Sequence, residues 1–129
     1  MKLLVHNFLS SKFLKGVVTG YPLLIKDAKV EVQESEYQPE FVKRMMQKIE
    51  YPVLKSAAKS LGHGDGLPEQ LPPKEELEQN ENLLKQLHHV LLCVEVTEGV
   101  LECPEIHRQF KITNGIPNML ANEDEVSND

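Results

Sequence analysis

The apolar residues of this chain change period partway along it, and that change constrains the fold more than any other feature. Between Phe41 and Leu91 they recur at three- and four-residue spacing; from Val94 onward they alternate with polar residues. A period near 3.6 buries one face of a helix, and a period of 2 buries one face of a strand. Helices and strands in separate stretches predict an α+β fold.

The helical stretch has its own punctuation. Gln38-Pro39 reads as a helix start, with Pro at the first helical position. Phe41, Met45 and Ile49, flanked by Val42 and Met46, share one face. Pro52 starts a second helix whose stripe is Val53, Ala57 and Leu61, with Leu54 and Ala58 alongside; Gly62 is placed to end it as a left-handed cap. Residues 62–75, rich in Pro and Gly, read as a flexible loop. A third helix is predicted from about Asn80 to Leu91, buried through Leu84, Leu87 and Leu91.

The ends of the chain read differently. Lys2 to Ser11 is a short apolar segment in which period alone does not separate helix from strand. Gly16, Gly20 and Pro22 mark a turn-rich stretch. Leu23-Leu24-Ile25 and Val30/Val32 suggest two short strands joined at Lys26-Asp27. Val94 and Val96 alternate with Glu95 and Thr97, so a hairpin with Glu98-Gly99 as its turn sets Val96 opposite Leu101 and Val94 opposite Cys103. In that register Cys93 points away from Cys103, which argues against a disulfide. A last strand, Arg108 to Ile112, leads through Asn114-Gly115 to Ile116–Leu120, and the acidic tail from Glu123 to Asp129 is expected to be disordered.

Chemistry is sparse. A formal net charge of −6 argues against direct nucleic-acid binding, which needs clustered Lys and Arg. No stretch has the length of a membrane span, no secretory signal is read, and a reducing compartment is expected. Gly62, Gly64 and Gly66 follow a helix among prolines, so they read as loop rather than as a phosphate cradle. His88 and His89 diverge by about 100° around a helix axis, which is poor for joint ligation; His88 reads as a packed or hydrogen-bonded residue. Cys103-Pro104 is half of a zinc knuckle, but Ile106 stands where the partner cysteine belongs. No catalytic constellation is assembled.

Several blocks then carry a resemblance in order along the chain. They are Met1-Lys2-Leu3-Leu4-Val5-His6-Asn7-Phe8-Leu9-Ser10, Gln38-Pro39-Glu40-Phe41, His88-His89-Val90-Leu91-Leu92, Glu98-Gly99-Val100-Leu101-Glu102-Cys103-Pro104 and Gly115-Ile116-Pro117-Asn118-Met119-Leu120. Together they resemble the multifunctional methyltransferase subunit family, the small eukaryotic activator subunits of tRNA, rRNA and release-factor methyltransferases. The resemblance implies a zinc-ribbon-like antiparallel β domain from residues 1–34 and 93–122, a helical insert over 35–92, and the tail 123–129. It implies a zinc site whose positions here are Ser11, Gly16, Cys103 and Ile106; three of these four lack the ligand, so no metal is expected.

The resemblance also implies function. Class I methyltransferase partners carry S-adenosylmethionine and the catalytic residues, and this chain is expected to bring no cofactor and no catalysis. It would form heterodimers by adding a strand to the partner's sheet and covering an apolar patch. Ile116, Pro117, Asn118, Met119 and Leu120 are the expected contacts, with Phe8 and Leu9 from the N-terminal segment. Cytoplasm and nucleus are the expected locations, without membrane or direct nucleic-acid contact. Two other readings compete: a stand-alone degenerate zinc-ribbon module recruiting proteins through the helical insert, and an enzyme in its own right, disfavoured by the missing site.

Overall fold

The computed structural model describes residues 1–126. Among them an α+β fold is built from five α-helices and one antiparallel sheet in the order β1-β2-β3-β4. The strands are β1 (Leu24–Val32), β2 (Val94–Glu102), β3 (Gln109–Thr113) and β4 (Ile116–Pro117).

Strands β1 and β2 run unbroken, which corrects both turns expected from sequence. Lys26-Asp27 does not separate two strands, and Glu98-Gly99 is not a hairpin turn. Each strand carries an extra residue instead. Between the pairs Lys26–Val100 and Lys29–Glu98, Asp27 and Ala28 oppose Gly99 alone, with Asp27 at φ 53°. Between Lys29–Glu98 and Val30–Val96, Thr97 is the surplus residue. An extra residue shifts the inside–outside alternation by one, as a two-residue turn does, so both solutions fit the same apolar pattern. The pattern therefore survives on one face, with Ile25 opposite Leu101 and Val30 opposite Val96. Gly99 serves close approach: a Cβ there would stand 3.1 Å from the Lys26 carbonyl oxygen and 3.2 Å from the Ala28 Cα.

The chain reverses between β2 and β3 over Cys103–Arg108, where the Cys103 N–H donates to the Arg108 carbonyl at 2.8 Å. It reverses again at Asn114-Gly115, whose φ values of 51° and 77° are both left-handed. That is the turn geometry matching strand twist, and Asn-Gly is its preferred sequence.

Helix α1 (Leu3–Phe8) resolves the ambiguous N-terminal segment. Helix α2 (Pro39–Met46) buries Val42 and Met46, with Ile49 just beyond, while Phe41 and Met45 are only partly covered. Helix α3 (Tyr51–Ser60) ends as expected at Gly62, φ 82°. The Gly62 N–H donates to the Lys59 carbonyl and the His63 N–H to the Ala58 carbonyl, satisfying two end carbonyls in the Schellman manner. Helix α4 (Lys74–Gln79) was not anticipated; it begins at the end of the loop read as flexible. Helix α5 (Glu81–His88) is capped by the Asn80 side chain, which accepts from the Leu83 N–H. A π-helical turn, His89–Cys93, joins it to β2.

Two apolar clusters form the core. One joins Leu3 to Val42, Leu54, Leu87 and Leu91 of the helices. The other joins Met1, Leu14 and Leu23 to Val96, Leu101, Cys103, Phe110 and Ile112. Burying each such side chain contributes about 1.5–3 kcal/mol, and Ile25 and Leu61 touch both clusters.

Over its described residues the acidic tail is held in place rather than disordered. Glu123–Glu125 forms a 3-10 turn closed by an Asn122/Glu125 capping box, and Val126 bridges to Leu14. A side chain that satisfies helix-end N–H groups holds this segment, which composition alone marked as disordered. Residues 127–129 lie outside the described residues.

Candidate partner-docking surface

Strand β4 ends the sheet, so its outer edge has no strand beside it among the described residues. Its pairing is short: Thr113 faces Ile116 and Ile112 faces Pro117. Pro117 brings no N–H, and the ladder stops there rather than at Leu120. Beyond it the Asn118 N–H still reaches the Lys111 carbonyl at 2.8 Å.

Exposure alternates along the segment. Ile116 is 68% exposed and Leu120 78%, with Asn118 exposed between them. Pro117 and Met119 are half-buried, and Met119 packs on the β cluster. The five expected contact residues thus divide into an outward set, Ile116, Asn118 and Leu120, and an inward pair. Large apolar side chains on an unpaired strand edge are a hazard for a protein alone and an asset for one that binds a sheet.

Groups distant in sequence set the two ends of this segment. At its start, the α-ammonium of Met1 donates to Glu95 Oε1 at 2.9 Å, to the Val96 carbonyl at 2.7 Å and to the Gly115 carbonyl. At its end, the Arg108 Nη2 donates to the Leu120 carbonyl and its Nε to Glu125 Oε2 at 2.7 Å. The Arg108 guanidinium holds the Glu125 carboxyl below the usual carboxylate range. Neither end was visible in the sequence reading. Asn122-Glu123-Asp124-Glu125 did carry a capping-box signal that could have flagged the second.

Phe8 and Leu9 stand apart from each other. Phe8 closes α1 and is 54% exposed, whereas Leu9 is half-buried on the same β cluster as Met119. The other sheet edge, β1, also lacks a partner among the described residues, and beside its start lies a mainly apolar cleft of about 270 Å³. His6 lines that cleft, its Nε2 donating to the Leu23 carbonyl at 2.8 Å; burial lowers its pKa and favours the neutral ring.

His88 is buried, with Nε2 3.1 Å from the Ser35 carbonyl and its ring edge-on to Tyr37. His89 lies 5.7 Å from His63, ring to ring. Both cysteines are buried and free.

The four positions corresponding to a family zinc site do not fit a metal. Ser11 is buried with its hydroxyl bonded to the Gly20 carbonyl. Gly16 and Ile106 have no donor, and Ile106 is 49% exposed; Cys103 is buried in the apolar cluster. Among the described residues no group of three or more His, Cys, Asp or Glu is placed to hold a metal. The two loops carrying these positions are joined by a carboxylate instead. Glu105 accepts from the N–H groups of Val18 at 2.9 Å, Thr19 at 3.0 Å and Gly20 at 2.6 Å, and from the Thr19 hydroxyl. Those backbone donors draw its pKa down to about 2.

Comparison with known proteins gives a consistent picture. Residues 2–115 match the family model described as Trm112p-like protein. The chain is 44% identical over 126 residues to multifunctional methyltransferase subunit TRM112 homolog A of Arabidopsis thaliana, covering 98% of this chain and 100% of that protein. It is 47% identical over 127 residues to the TRM112-like subunit of Mus musculus, covering 98% of each. A chain in the solved structure of the E. cuniculi Mtq2-Trm112 complex, which methylates the eRF1 translation termination factor, superposes with a TM-score of 0.60 at 21% identity. That superposition covers 93% of this chain and 95% of the other.

Proposed function

The chain belongs to the Trm112p-like family, and from that premise we propose that it is a non-catalytic activating and stabilising subunit of methyltransferases. The partner supplies the S-adenosylmethionine pocket and the reacting groups. This chain supplies an edge strand and an apolar cover. The exposed pair Ile116 and Leu120 on the unpaired end of the sheet is the observation that carries this reading.

Physically, the partner's sheet edge gains main-chain hydrogen bonds, and outward side chains of alternate residues fill its pockets. Covering an edge and an apolar patch removes aggregation sites. Because only folded partner binds, association also raises the partner's apparent stability by mass action. We further read the partners as enzymes acting on tRNA, rRNA and translation release factor, in cytoplasm and nucleus. The loops around Ser11 and Cys103 we read as zinc-ribbon-like knuckles joined by Glu105 in place of metal.

Co-expression with a release-factor methyltransferase tests the docking. The intact chain should co-purify with the enzyme and restore its activity. Ile116→Asp and Leu120→Asp, correctly folded by circular dichroism, should lose the complex. Survival of the complex in both variants would refute the surface.

A further inference from the structure

We propose that the Arg108–Glu125 ion pair is a positioning clamp that holds Met119 and Leu120 in place for docking and sets partner affinity without touching the partner. The proposal rests on the docking reading above and adds the device that presents the segment.

The need for such a device follows from the short ladder. Strand β4 pairs through two residues only, and the next ladder-like bond is that of Asn118 to Lys111. Two residues of pairing leave the end of a five-residue docking segment with many accessible conformations, each a cost to be met on binding.

Arg108 removes that freedom from one fixed point. Its guanidinium lies 4.8 Å over the ring of Phe110, a buried core residue. Nη1 donates to the Gln109 carbonyl. Nη2 donates to the Leu120 carbonyl at 3.4 Å and to Glu125 Oε1 at 3.4 Å, while Nε donates to Glu125 Oε2 at 2.7 Å. A planar guanidinium can serve carbonyl and carboxylate together; a lysine ammonium lacks that fork.

Glu125 is fixed in turn. Its Oε1 accepts from the Asn122 N–H at 3.0 Å, and its carbonyl accepts from the Lys15 N–H at 2.8 Å. The chain after Leu120 is therefore folded back and tied to the loop around Lys15. Met119 points into the β cluster, and Leu120 is left pointing outward.

The test measures partner affinity and the conformation of the free subunit together. Glu125→Gln, Arg108→Lys and the double variant are compared with the unaltered chain, with Ile116→Asp as reference. The partner is a co-purified release-factor methyltransferase, and Kd is read by titration calorimetry. Each single variant should weaken binding about tenfold, the loss matching a few newly freed side-chain and backbone rotors. The double variant should be no worse than either single one, because both break the same clamp. Amide hydrogen exchange at Met119–Asn122 should quicken in the free subunit while the thermal midpoint stays close to that of the parent. A merely structural pair would lower the midpoint without that local pattern. If Ile116→Asp weakens binding and the clamp variants do not, the clamp is overturned and the docking surface stands. If Ile116→Asp leaves Kd unchanged, the docking reading fails and the clamp fails with it.

Discussion

A carboxylate facing three consecutive backbone N–H groups is held in its charged form, and Glu105 meets Val18, Thr19 and Gly20 in that arrangement. Its pKa falls from 4.5 to about 2, as does that of Glu102, which accepts from Lys26, Gln109 and His107. Both shifts are downward, so the unfolded chain binds these protons first as acid is added. The stability they contribute is complete above about pH 4.5 and is lost as pH falls toward 2. Urea denaturation followed by circular dichroism should show this decline, and Glu105→Gln should remove its share of the decline, leaving that of Glu102, while lowering stability at pH 7. An excess of chelator should leave both curves unchanged, since the join between the two loops is made by carboxylate. His6 acts with the same sign at higher pH: its lowered pKa makes the unfolded chain the better base below pH 6.5, so stability drops from there downward.

At the scale of elements, the paired irregularities of β1 and β2 keep one apolar face continuous across nine-residue strands. Thr97→Ala should be tolerated, because the residue count is unchanged. Deleting Thr97 should keep Val94 and Val96 on the apolar face, because it removes only the surplus residue, whereas inserting an alanine after Thr97 should cost several kcal/mol by turning them to the wrong face; thermal melts of the variants distinguish the cases. The proposed docking segment makes a matching prediction. Met119→Asp places a charge against the β cluster and should lower stability on the order of 1–3 kcal/mol. Ile116→Asp should leave the melting curve unchanged and reduce only partner binding. Sequence reading grouped Ile116, Met119 and Leu120 together because all are apolar. The pleat separates them, and which face meets the core is set by the pairing of β4 with β3.

At the scale of the molecule, the chain is a small sheet and a helical layer sharing Ile25 and Leu61, with exposed apolar residues at the β4 end. A partner methyltransferase should gain several degrees in thermal midpoint when the subunit is in excess over Kd, and the gain should grow with subunit concentration as mass action requires. Scanning fluorimetry at increasing subunit concentration checks this, with Leu120→Asp as the variant expected to abolish the gain. Much of this architecture was legible in the residues. The switch from helical to alternating period set the α+β class, Pro39 and Gly62 marked helix ends, and Asn114-Gly115 announced its turn. Such signals are local, because periodicity and turn chemistry act over a few neighbouring residues. What the tertiary structure alone decided are the matters with more than one local solution or with distant partners. A one-residue slip in alternation fits a turn or a bulge, and only pairing with β1 selected the bulge at Thr97. Glu105 with Val18, Arg108 with Glu125 and Met1 with Gly115 meet because the fold brings separated backbone segments together, and no spacing along the chain encodes those encounters.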